Sequence, residues 1–77
     1  MLTLFKCKSN RNYLIVGIRG DCYFSIKRRL LDLGFTQGQR VCKVKSSLLN
    51  KVVLVEIRGY LLSLKSKIAD YILVEER

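Results

Sequence analysis

The sequence predicts a small, mainly β domain: a barrel of short strands with one helix inserted after the first long strand. Three observations carry that expectation. From residue 40 onward, apolar side chains recur with a period of two in short runs. Only one stretch, residues 23–33, has helical periodicity. The strand-like runs follow one another closely within 77 residues, which leaves no room for several helices and points to a small barrel. The whole chain, residues 1–77, is expected to form a single domain.

The elements follow in order. Residues 2–7 (LTLFKC) are either a strand or a packed terminal arm, and KSNRN is a polar turn. Residues 13–19 (YLIVGIR) are β-branched and aromatic and read as a strand, with Gly17 marking a bulge or a bend. Gly20-Asp21 is a turn signal. In the helix, Cys22, Ile26, Leu30 and Leu33 share one face with Tyr23 at its border, and Asp21 or Ser25 could cap its start. Gly34 stands where a left-handed residue closes a helix, and Phe35 is expected to fold back onto it. Gly38 supplies a positive φ for the turn into the next strand.

Residues 40–45 (RVCKVK) should send Val41 and, after an irregularity, Val44 toward the core. In residues 51–58, Val53, Val55 and Ile57 share one side. Residues 60–65 (YLLSLK) offer Leu62 and Leu64 on one face; residues 66–70 are a turn or one helical turn, and residues 71–75 a last strand.

Composition excludes several kinds of chemistry. The chain has no histidine, so the commonest neutral-pH acid–base group and a common metal ligand are missing. Gly34 and Gly38 are followed by neither the lysine nor the helix of a phosphate-binding loop, so nucleotide hydrolysis is not expected. Cys7 and the serines have no histidine to activate them. No enzyme activity and no cofactor are therefore expected. Cys7, Cys22 and Cys42 form no C-x-x-C pair; they could meet in space and hold a metal, but Cys22 and Cys42 sit at core-type positions, and the metal question stays open. An odd cysteine count without a secretory signal, and no apolar run long enough to span a bilayer, suggest a reducing, cytoplasmic setting. A net charge of +9 favours an acidic partner.

The string RRLLDLGFTQGQRV, followed by a paired-strand segment and then SLKSKIADYILVEE, resembles the FeoA family. These are small cytoplasmic partners of the bacterial ferrous-iron transporter FeoB. The positions that carry the likeness are Arg29-Leu30, Leu33-Gly34, Gly38, Val41, Leu64-Lys65, Ala69, Ile72 and Val74. Two prolines common in the family are replaced here, one by Gln37 and the other by Lys51-Val52. The resemblance implies an SH3-like barrel, similar to the C-terminal domain of DtxR-type repressors. It also implies an accessory or regulatory role in ferrous iron transport through contact with FeoB.

Two features suit such a contact. Leu48 and Leu49 fall at the tip of a hairpin among polar residues, so they either form an apolar docking knob rimmed by lysines or plug one end of the barrel. Phe24 and Leu31 lie away from the buried helix face, with Lys27 and Arg28 nearby, as a second apolar stripe beside positive charge; if the helix starts at Ser25, Phe24 instead covers the core from a loop. The exposed leucines could equally drive self-association. The rival reading is nucleic-acid binding through Lys6, Lys8, Arg11, Lys43, Lys45 and Lys51 with Tyr13, Tyr23, Tyr60 and Tyr71 as stacking platforms. It ranks second because these charges are scattered and the tyrosines fall at packing positions. A metal-responsive regulator is the third reading.

Overall fold

The computed structural model describes residues 2–47 and 49–77. The elements are β1 (Arg11–Ile18), α1 (Phe24–Asp32), β2 (Arg40–Ser46), β3 (Val52–Ile57), β4 (Tyr60–Lys65), α2 (Ser66–Ala69) and β5 (Ile72–Glu76). The five strands make one antiparallel sheet in the order β4-β3-β2-β1-β5. One face of this sheet carries the core: Tyr13 and Ile15 from β1, Val41 from β2, Val53, Val55 and Ile57 from β3, Leu64 from β4, and Ile72 and Val74 from β5.

The sheet is open, and this corrects the expected SH3-like barrel. β4 and β5 end the strand order and share no ladder. The physical reason lies in residues 2–7, which form a packed arm rather than a strand. The Leu4 amide donates to the Ile72 carbonyl at 2.9 Å, and the Val74 amide donates to the Leu2 carbonyl at 2.9 Å. Thr3 forms a lone bridge with Leu73. The arm thus takes the outer edge of β5, where β4 would have to pair to close a barrel.

The helix-to-strand corner forms as the glycines predict. The Phe35 amide donates to Leu30 O and the Gly34 amide to Leu31 O, each at 3.0 Å, a Schellman closure with Gly34 at φ +107°. Phe35 is buried against Leu30, the fully buried residue of α1. Neither Asp21 nor Ser25 caps the helix; Tyr23 stands at its N-cap without a side-chain bond. Gly17 does sit at a bulge, where the β1–β5 register shifts between Ile15 and Gly17.

In β2 the irregularity falls between Lys43 and Lys45, one step later than the pattern suggests. Alternation from Val41 therefore turns Lys43 inward, and Val44 is only half-buried. Lys43 is 5% exposed. Its ammonium donates to the carbonyls of Phe5 at 2.5 Å and Cys7 at 2.9 Å, which satisfies a cation that burial would otherwise penalise. This buried lysine ties the arm to the sheet. A second tie runs from Thr3 Oγ1, which donates to Asp70 at 2.7 Å. Asp70 in turn pairs with Arg19 at 3.1 Å.

Candidate functional surface

The helix begins at Phe24, so Phe24 and Leu31 belong to one outward stripe of α1. Phe24 is 74% exposed, Leu31 is exposed, and Lys27 and Arg28 between them are exposed as well. The helix is held by Leu30 with partial burial of Ile26 and Leu33, which leaves this stripe free. Tyr23, next to Phe24, is also exposed. Of the loop leucines, Leu49 is 71% exposed. Leu48 lies outside the described residues.

The loop tip and the helix stripe come from different parts of the fold, and Lys65 at the end of β4 lines two grooves. On one side, a groove of about 460 Å³ separates β4 from α1; it is lined by Ile26, Leu33, Leu62 and Ile68, with Arg29 and Lys65 on its rim. On the other side, a second groove runs along Lys51, Val52, Lys65 and Lys67 at the root of the β2–β3 loop. That root is fastened to α2: the Ser66 amide donates to Lys51 O at 2.9 Å, and the Ser66 hydroxyl donates to Asn50 O. The charged residues on both grooves are all basic.

Sequence reasoning missed Arg29, Lys65 and Leu61 as parts of this surface. Leu61 is 59% exposed on β4. The signal was present in YLLSLK: if Leu62 and Leu64 face the core, Leu61 must face out.

The features of the nucleic-acid reading are dispersed. Tyr13 is buried, and its hydroxyl accepts the Lys8 amide at 2.9 Å. Tyr60 donates its hydroxyl to Leu33 O at 2.5 Å, and half-buried Tyr71 lies beneath the Arg19 guanidinium. Lys43 is inside the protein, and Arg11 is 3.8 Å from Glu76.

The cysteines are also not where the pattern puts them. Cys22 and Cys42 are half-buried, and Cys7 is the one in the core. Burial pushes the Cys7 thiol up, against the pull of the Lys43 ammonium. Burial and then the Asp21 carboxylate push the Cys22 thiol up as well. Among the described residues, no group of three cysteine, aspartate or glutamate side chains is placed to hold a metal ion. No helix among them is long and apolar enough to cross a membrane.

The family model described as the FeoA domain matches residues 2–76. No curated protein sequence matches the chain. Among solved structures, FeoA from Chlorobium tepidum is 23% identical, with a TM-score of 0.86 over 97% of this chain and 70% of its own. Stenotrophomonas maltophilia FeoA, solved with zinc and described as a procaryotic SH3 domain protein, is 22% identical, with a TM-score of 0.85 over 97% of this chain and 91% of its own. The manganese-activated repressor ScaR shares the fold at 22% identity and a TM-score of 0.84; the match spans 99% of this chain but 35% of the repressor. At such identities the structures speak to fold alone.

Proposed function

The chain belongs to the FeoA domain family, and from that premise we propose that it binds the cytoplasmic part of a FeoB-type ferrous-iron transporter. FeoA domains are non-enzymatic accessory modules of ferrous iron transport. The contact itself is read from this chain's surface. One observation carries it: the α1 stripe of Phe24 and Leu31, flanked by Lys27 and Arg28, is exposed among the described residues. An apolar stripe beside positive charge matches a partner with an apolar patch and acidic surroundings. The exposed Leu49, with Leu48 beside it in sequence, supplies a second apolar contact.

The experiment is a calorimetric titration of the protein, without oxygen, into the purified cytoplasmic domain of the FeoB-type transporter from the same genome. Saturable one-to-one binding supports the reading. Lys27→Glu with Arg28→Glu should weaken it roughly tenfold, and more at low salt than at moderate salt. Unchanged affinity removes the helix from the interface. Replacement of Leu48 and Leu49 by serine should weaken binding in a folded protein; loss of folding would place those leucines in the core.

A further inference from the structure

The outer edge of β4 ends the sheet, with β3 as its one strand neighbour among the described residues. β4 pairs with β3 in unbroken register from Val52↔Lys65 to Ile57↔Tyr60. The two are joined by the two-residue turn Arg58-Gly59, with φ of +52° and +84°. In a hairpin closed this way, bonded and non-bonded pairs alternate from Ile57↔Tyr60 outward. The peptide groups of Tyr60, Leu62 and Leu64 therefore face β3. The Leu61 and Ser63 peptide groups and the Lys65 N–H face away, while Lys65, the N-cap of α2, gives its carbonyl to the first turn of that helix.

Proteins blunt such edges with charge, proline, bulges or a covering segment. β4 has a single charge, at its last residue, no proline and no bulge, and Leu61 is exposed on it. The groove between β4 and α1 continues the core face outward past Leu62, with Ile26, Leu33 and Ile68 as its apolar walls. A strand added to β4 would place alternate side chains in that groove.

We infer that the β4 edge takes an extended acidic segment of a partner polypeptide as a sixth strand, with its alternate apolar side chains seated in the groove beside α1. The sign of the partner comes from the rim: Arg29 and Lys65 border this groove, Lys51 and Lys67 border the next one, and no acid lines either. A second copy of this chain is a poor occupant by the same argument, because each copy carries a net charge of +9. The inference deepens the docking reading given above and rests on it for the partner's identity; the edge chemistry stands on the backbone geometry.

The test uses the intact protein, two probes and two variants. The first probe is a capped hexapeptide alternating valine and glutamate, with a valine–lysine counterpart as control. At millimolar peptide, NMR amide exchange should slow at Leu61, Ser63 and Lys65 with the glutamate peptide and not with the lysine one. Ser63→Pro removes an outward-facing N–H, a position where an edge strand tolerates proline, and should abolish the effect. Leu61→Asp, on an exposed side chain, leaves the backbone intact and should weaken binding at least about fivefold by repulsion of an acidic strand.

The second probe is the cytoplasmic part of the transporter, which should also bind both variants more weakly. If it binds wild type and both variants equally, the edge inference fails and the docking reading survives. If the glutamate peptide seats on the edge but the transporter does not bind, the edge inference survives and the docking reading fails. An edge unchanged by either peptide, or one protected in proportion to protein concentration alone, overturns the acidic-strand inference.

Discussion

The two outer strands of the sheet are treated in opposite ways. The edge of β5 is covered: the arm bonds it through Leu2 and Leu4, and buried Lys43 and the Thr3–Asp70 bond hold the arm in place. The edge of β4 is left with outward peptide groups, an exposed leucine and a basic-rimmed groove. One edge helps hold the fold together, and the other is the edge proposed above to take a partner strand. The same difference explains why the sheet stays open, since the arm holds the edge that β4 would need.

The comparison can be broken most forcefully at the arm. Lys43→Met keeps the aliphatic stem but leaves two carbonyl acceptors without their charged donor. It should cost about 2–4 kcal/mol, read by chemical denaturation, and should speed exchange of the Val74 amide. No change in Val74 exchange would mean that Lys43 does not hold the arm. Gly34→Ala comes next. A Cβ there would meet Arg58 Cδ at 2.7 Å and require a strained φ, so a loss of roughly 1–2 kcal/mol is expected in the same assay. Phe24→Ser should leave denaturation within about 0.5 kcal/mol of wild type, because the side chain is exposed. It should nevertheless weaken transporter binding severalfold in the titration. A large loss of stability would return Phe24 to the core.

The smallest effect concerns pH. Burial holds the Cys7 thiol above its ordinary value of 9.0. The folded state then keeps the proton longer than the unfolded chain does. This contribution to stability is complete below about pH 9 and is lost as pH rises through the folded value. Cys7→Ala should flatten the alkaline side of a stability–pH curve; an unaltered slope would assign that loss to other groups.

Local features were legible in the sequence because local chemistry decides them. Gly34 and Phe35 predict the helix closure, Gly17 the bulge, and Val53, Val55 and Ile57 the buried side of β3. The failures are long-range. Whether the sheet closes depends on residues 2–4 reaching β5 across most of the chain, and no periodicity records that choice. The sequence makes Lys43 a surface charge because lysine is rarely buried; its place depends on a bulge one residue further on and on two carbonyls of the arm. The helix stripe at Phe24 and Leu31 was visible from spacing alone. The β4 edge was not, because an unpaired strand has the same sequence as a paired one.

The asymmetry of the two edges is tested most directly by amide hydrogen exchange in the free protein, comparing Ser63 on β4 with Val74 on β5. Val74 is bonded to the arm and Ser63 faces the groove, so Val74 should exchange at least about thirtyfold more slowly. Equal protection at Ser63 and Val74 would mean that β4 is paired in solution, and both the open sheet and the recognition edge would fall.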